Sequence, residues 1–400
     1  MTVAPGLGES HVRSVLTLLY PSVTQVMFRR GALRGDFLAL PSVARARLLL
    51  PADRRHASAA LGYARRPTTR RSALLTTIAR LALRTGALQL VGEGTRLVHG
   101  HGVDPSIETY LGAIFEQEVT VGVLLGPARA NRKPVLQVMN RSADLVAVAK
   151  VGINDLTDQL ARTEARALSS LRDRAPKTFR IADVISIGDW NGAVVLVQSP
   201  LDVSGARVDI DERIRYSAMR EVAEINGTYR TRLSRSTFWA RLTKRTLEVR
   251  SGAEADCVRS LLGQIGLADR PLRFGSWHGD WTPWNMAVKD GIATIWDWER
   301  YETDVPVGFD SLHFAFMDLL RTTPQEEAGT GLVAAAPRLL HPFDLDGQRA
   351  EDVAALYLAD LALRYLRDGQ SDTGASGSDV HRWLKPVAAR IRTNADERIE

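Results

Sequence analysis

Residues 276–299 constrain the fold of this chain more than any other stretch. They read Ser276-Trp277-His278-Gly279-Asp280-Trp281-Thr282-Pro283-Trp284-Asn285, then Met286-Ala287-Val288-Lys289-Asp290-Gly291-Ile292-Ala293-Thr294-Ile295-Trp296-Asp297-Trp298-Glu299. Two extended, apolar-rich runs joined through Asp290-Gly291 predict a β-hairpin, a dipeptide suited to tight turns. Folding back there brings Asn285, at one open end, beside Trp296 and Asp297 at the other. Asp280 lies five positions upstream, on the loop that feeds the same end. An acid, an amide and a second acid therefore converge on one rim. The pattern leaves the register, and so the face of each side chain, open by one residue.

That convergence suits phosphoryl transfer. Catalysis there is mostly positioning and charge neutralisation by metal, with one carboxylate accepting the nucleophile's proton. Mg²⁺ takes oxygen ligands and commonly uses one or two carboxylates beside the phosphates. Asn285 and Asp297 fit that ligand count, which leaves Asp280 as base.

The ordered set His-Gly-Asp-x-x-x-x-Asn at 278–285 and Ile-x-Asp-Trp-Glu at 295–299 resembles the aminoglycoside phosphotransferase and choline-kinase-like family of the protein-kinase fold. The resemblance covers about residues 104–320. It implies an α+β, bilobal protein-kinase-like fold. A small β-rich, nucleotide-binding lobe with one long helix would span 103–200. A larger helical lobe with the catalytic hairpin and the acceptor site would span 201–400. Residues 1–102 would be an N-terminal α/β extension outside the resemblance. The implied activity is a small-molecule kinase that moves the γ-phosphate of ATP (or GTP), with Mg²⁺, to a hydroxyl of a sugar, amino sugar or aminoglycoside-like acceptor. His278, Trp281, Trp284 and Glu299 would support the site or face the acceptor. Asp310 would brace the catalytic loop from below, with a simple helix N-cap as the alternative. Trp281 and Trp284 stand where smaller or aliphatic residues are usual in the family, and the acceptor stays open because proteins of this fold phosphorylate antibiotics, sugars, choline and other hydroxyl compounds.

In the small lobe, Leu145 to Lys150 reads as an apolar strand ending in a lysine. The next helix, Asp155 to Leu171, carries Leu156, Leu160, Leu168 and Leu171 on one stripe, with Glu164 inside it. A carboxylate on an apolar face is costly without a cation, and Lys150 is the obvious partner. Kinases hold the α and β phosphates with such a pair; a glutamate at the stripe's edge is the alternative. Strands 184–187 and 193–197 follow, and Gln198-Ser199-Pro200 marks the crossing to the second lobe. There the adenine edge would meet main-chain groups, so Gln198 and Pro200 join the cofactor residues. The loop 126–134, between strands 119–125 and 135–139, lacks Gly-x-Gly-x-x-Gly. Its Arg129, Arg132 and Lys133 read more readily as solvated than as a phosphate cover.

Composition excludes several classes. With 45% hydrophobic and 24% charged residues the chain is globular, not disordered. The single cysteine, Cys257, permits no internal disulfide. No apolar run is long enough to span a bilayer, and the first twelve residues lack the basic start of a secretory signal, so a cytoplasmic protein is expected. No nucleic-acid partner is expected.

Residues 1–100 hold fifteen arginines against four acidic residues, a formal +11, while the whole chain is +6. A solvated face is the default reading. Holding an anionic acceptor and peripheral contact with an acidic membrane are the weaker ones. Strands at 35–41 and 47–51, helices at 56–65 and 72–84 and a connector at 95–102 are expected here. The second helix shows Leu75, Ile78, Ala79 and Ala82 at helical spacing. A further helix starts at Asp104-Pro105 and runs to Glu116. Helices are also expected at 211–225, 234–249, 254–265, 350–367 and 380–391, the last two around a polar linker at 368–379.

Five of the eight tryptophans fall within 276–299, and at least three are expected to fill core. Aromatic faces beside carboxylates also suit a glycoside hydrolase using Asp280 with Asp297 or Glu299, but that leaves Lys150, Glu164 and Asn285 without roles. A non-catalytic, nucleotide-binding kinase-like regulator is a third reading. Loss of the base or a metal ligand would mark it, and none is lost.

Overall fold

The computed structural model describes residues 7–30, 36–64, 70–99, 105–126, 129–203, 211–370 and 379–396. Two compact units divide the chain: residues 1–127, 131–165 and 182–201 in the first, and 128–130, 166–181 and 202–400 in the second.

The first unit is organised by one sheet. Its strands are β1 (Val23–Arg30), β2 (Phe37–Leu40), β3 (Leu48–Pro51), β4 (Glu93–His99), β5 (Thr120–Leu124), β6 (Val135–Met139) and β7 (Leu145–Val151), with β9 (Val184–Trp190) and β10 (Ala193–Gln198); β8 (Phe179–Arg180) belongs to the other unit. The nine lie in the order β1-β4-β2-β3-β5-β6-β7-β10-β9, every neighbour antiparallel. Asn191 and Gly192 turn β9 into β10 with φ of 46° and 77°, the paired positive values a two-residue hairpin demands.

Helices α1 (Leu7–Leu19) and α5 (Ile107–Phe115) serve one face of this sheet. Leu16, Leu19, Ile107 and Leu111 join Val121, Val123 and Val138 in one buried cluster. On a second cluster α2 (Arg54–Ala64) and α3 (Arg70–Thr85) place Ala57, Ala60, Leu61 and Leu83 with Leu38, Leu50 and Met139. A short α4 (Ala87–Val91) follows α3, and α6 (Asp155–Asp173) packs Ala161 and Ala165 on Val194 and Leu196 of β10.

Sequence and structure part in three places here. The segment 95–102 was expected to connect, yet Glu93–His99 is a strand paired along β1, Val26 opposite Leu97. Its glycines suggested a loop, but buried Thr95 and Leu97 alternate with exposed Arg96 and Val98, the period of a half-buried strand. Residues 100–102 lie outside the described residues. No border between the compact units falls at residue 102, because Leu48 and Leu49 of β3 pair with Leu124 and Val123 of β5. The helix expected from Asp104 is capped instead by Ser106, whose side chain accepts from the Thr109 N–H; Asp104 lies outside the described residues.

The second unit is mostly helical: α7 (Glu212–Glu224), α8 (Thr237–Glu248), α9 (Ala253–Ala268), α10 (Phe309–Thr322), α11 (Gln325–Leu340), α12 (Gly347–Asp368) and α13 (Val380–Asp396). Buried on nearly every side between Val353 and Leu363, α12 is the central helix of the group. Two small sheets accompany them. Strand β12 (Pro271–Trp277) lies between β11 (Tyr229–Arg232) and β15 (Glu302–Pro306), while β13 (Met286–Lys289) and β14 (Ile292–Ile295) form the hairpin, with β8 parallel to β14. Residues 371–378 of the expected linker lie outside the described residues. Among the described residues no helix is long and apolar enough to cross a membrane. The α+β class, the large antiparallel sheet and the helical unit with its hairpin are as the sequence implied, while the first unit carries several helices beside its sheet.

Candidate active site

The hairpin resolves the register. Met286 pairs with Ile295 and Lys289 with Ile292, around Asp290 and Gly291 with φ of 53° and 75°. Trp296 N–H donates to Asn285 O at 3.1 Å, so Asn285 and Asp297 sit at the same open end. Asp297 takes a left-handed conformation, φ 72° and ψ 52°, as the chain turns into the short helical turn Trp298–Arg300. Upstream, Gly279 has φ +85°, and a Cβ there would stand 2.1 Å from Arg300 O; only glycine fits this turn.

Asp310, in the first turn of α10, holds that turn from beneath. Its Oδ2 accepts from His278 N at 2.8 Å and its Oδ1 from Gly279 N at 3.2 Å. Gly308 occupies the N-cap, so the carboxylate braces the loop and does not cap the helix. Burial pushes the Asp310 carboxyl up to about 7, against the pull of the two N–H groups. Arg364 of α12 donates to Gly279 O at 2.6 Å, fixing the turn from another side.

Asp280 is held at both oxygens. Asn285 Nδ2 donates to Asp280 Oδ2 at 3.0 Å and to Asp280 O at 2.9 Å, which leaves Asn285 Oδ1 as the amide's oxygen donor. His313 Nε2 lies 3.1 Å from Asp280 Oδ1, and His313 Nδ1 lies 2.9 Å from Tyr357 Oη. With a carboxylate on one side and a hydroxyl on the other, the consistent neutral tautomer donates through Nε2 and accepts from Tyr357 at Nδ1. Burial lowers the His313 pKa, against the pull of the Asp280 carboxylate. For Asp280, burial works to raise the pKa, but the interactions with His313, its hydrogen bond first, and the nearby Arg364 charge outweigh it and hold the carboxyl below its ordinary value. Its side chain keeps 29% exposure, enough to be reached from solvent.

His278 is fully buried. Its Nδ1 accepts from Asp280 N at 3.1 Å, so Nε2 donates to Trp296 O at 3.1 Å, tying the loop to the hairpin. Burial lowers its pKa to about 4. Trp277, Trp281 and Trp298 are core, as expected of three of the five tryptophans. Trp284 is 44% exposed, with the Arg321 guanidinium 5.9 Å from its ring centroid. Glu299 is buried and Asp297 partly so. Asn285 Oδ1 and the Asp297 carboxylate are oxygen atoms of the kind a divalent cation takes, and a Glu299 carboxylate oxygen lies within 4.8 Å of one of Asp297.

In the first unit, Lys150 Nζ lies 2.7 and 2.6 Å from the two Glu164 oxygens. The geometry follows from the elements. Lys150 pairs with Leu196 in the sheet, so its side chain shares the face on which α6 packs, and Glu164 lies on α6 between Ala161 and Ala165. Both side chains are buried. Gln198, at the end of β10, is buried with its Nε2 lacking a hydrogen-bond partner. Ser199 N–H already donates to Asp183 O at 2.8 Å, and Pro200 has no N–H. The Gln198 amide is thus an unpartnered buried donor, and the main chain of 199–200 adds no N–H.

His313, Tyr357 and Arg364 were absent from the sequence-based set. One signal existed: Asp310 and His313 are three apart on one helix face. Nothing local marks Tyr357 or Arg364.

No protein-family model and no curated protein matches the chain. Among solved structures it is similar to a thermostable mutant of aminoglycoside phosphotransferase APH(4)-Ia, at 14% identity and TM-score 0.47, covering 72% of this chain and 99% of that one. It is also similar to the GDP complex of aminoglycoside 2'-phosphotransferase-IIIa, at 12% identity and TM-score 0.45, covering 70% and 97%. A third is spectinomycin phosphotransferase APH(9)-Ia with ADP and spectinomycin, at 9% identity and TM-score 0.43, covering 73% and 98%.

Proposed function

We propose that the chain is a Mg²⁺-dependent small-molecule kinase that transfers the γ-phosphate of ATP or GTP to a hydroxyl of a sugar, amino sugar or aminoglycoside-like acceptor. The observation that carries this reading is the Asp280 carboxylate. It is fixed by Asn285 and His313, on a glycine turn braced by Asp310, beside two oxygen donors.

Asp280 accepts a hydrogen bond from the acceptor hydroxyl and aims the oxygen at phosphorus. Its depressed pKa makes it a poor base toward a free alcohol, so it takes the proton late, once the new P–O bond has made that hydroxyl acidic. Asn285 Oδ1 and Asp297 would hold Mg²⁺, which neutralises charge on the phosphates. Lys150, oriented by Glu164, would bind the α and β phosphates, and the unpaired Gln198 amide fits an acceptor atom of the base. Tyr357 and His313 keep Asp280 in one rotamer, and Trp284 supplies an exposed aromatic face for the acceptor.

An ATP-consumption screen over amino sugars, sugars and aminoglycosides, with phosphorus NMR of the products, tests this. A phosphomonoester of one acceptor class is expected. Cleavage of a glycoside without nucleotide turnover would overturn it.

A further inference from the structure

Helix α3 packs by one face and leaves the opposite face bare. Thr76 and Leu83 are buried, and Arg80 Nε donates to Ser58 O of α2 at 3.2 Å, which defines the packed side. At about 100° per residue, Leu74, Leu75, Ile78 and Leu81 fall within an arc of about 120° on the other side. They are 61%, 54%, 54% and 62% exposed. A solvated helix carries polar residues on such a face, and a contiguous exposed apolar stripe marks an interaction surface.

Charge identifies the partner. From residue 54 to residue 92 the chain holds eight arginines and no lysine, aspartate or glutamate. Arg84 of α3 is exposed, and exposed Arg54 lies against Gly86 at the end of the helix. A second copy docking here would set arginine against arginine, and the acid beside them, Asp53, is already paired with His56. A nucleic acid would satisfy the arginines but leave the leucines in water. An anionic lipid surface satisfies both, with the apolar stripe among the acyl chains and Arg54 and Arg84 at the headgroups. We propose that the exposed face of α3 docks this protein on anionic membrane surfaces.

Co-sedimentation of the full chain with vesicles tests this, using phosphatidylcholine alone and phosphatidylcholine with about one-third phosphatidylglycerol. Affinity for the anionic vesicles should be at least about tenfold higher, and should weaken as salt is raised. Ile78→Glu with Leu81→Glu, both at exposed positions, should abolish binding while the circular dichroism spectrum and melting temperature stay as in wild type. Light scattering on the same samples should give a monomer for both. Equal binding to the two vesicle types, binding undiminished in the double variant, or a wild-type dimer that the double variant converts to monomer would each overturn the proposal.

Discussion

Glu164→Gln tests the Lys150–Glu164 pair against the possibility that it is incidental. Lys150 Nζ is within 2.7 Å of both carboxylate oxygens, and the two side chains are 8% and 1% exposed. At an effective dielectric constant of about 20, unit charges this close attract by about 6 kcal/mol. The substitution forfeits that attraction and leaves an ammonium without its carboxylate between sheet and helix. The glutamine oxygen still accepts one hydrogen bond, and the lysine can shed its proton, so the expected net loss is about 3–5 kcal/mol. An exposed pair would cost only about 0–1 kcal/mol. For a unit of this size a loss in the upper range lowers the melting temperature by about 10 °C, which scanning calorimetry resolves. Replacing both partners, Lys150→Met with Glu164→Leu, should restore most of the stability because no charge is stranded, yet should not restore nucleotide binding. A Glu164→Gln melt within a degree of wild type would refute the energetic argument. Normal nucleotide binding by the double variant would refute the functional one.

Three further outcomes follow from the site. His313→Ala should cut turnover by about 10–100-fold with nucleotide binding intact, and should move the acid limb of the pH–rate profile upward, since the bond that depresses the Asp280 pKa is gone; an unmoved limb removes His313 from the positioning of Asp280. Gly279→Ala drives a Cβ into Arg300 O and should destabilise the fold by at least about 1–3 kcal/mol; a wild-type denaturant midpoint contradicts the turn geometry. Asp310 sits at about 7 in the fold against 3.8 unfolded, so the folded state holds this proton more tightly. Its stabilising contribution is complete below the unfolded value and disappears as pH rises through about 7. Urea unfolding at about pH 5 and about pH 8 should show wild type losing more stability over that interval than Asp310→Asn, and equal losses would exclude this titration.

What was legible in the sequence was whatever is decided locally. Asp290-Gly291 between two apolar runs fixes a hairpin, and a hairpin places its own ends together, so the sequence alone puts Asn285 and Asp297 on one rim. Glu164 was legible because a carboxylate inside a leucine stripe asks for a cation, and a strand lysine lay within reach of the fold. Strands β1 and β4 were not, because they pair across about seventy residues and the glycines in and around β4 resemble a loop; only the partner strand reveals the alternation. His313, Tyr357 and Arg364 were hidden for the same reason. Their bonds to Asp280, His313 and Gly279 span 33, 44 and 85 positions. Spacing in α3 showed a helix but not which face was inward, because that depends on α2 taking Thr76, Arg80 and Leu83.

The most direct test of the account is the pair of measurements made on Asp280→Asn: Mg·ATP affinity and the rate of phosphate transfer to the acceptor found in the screen. With Asp280 positioning the hydroxyl and taking its proton, and Asn285 and Asp297 left to hold the metal, Mg·ATP should bind near normally while turnover falls by about 10²–10⁴. Turnover at the wild-type rate would contradict the account at its centre.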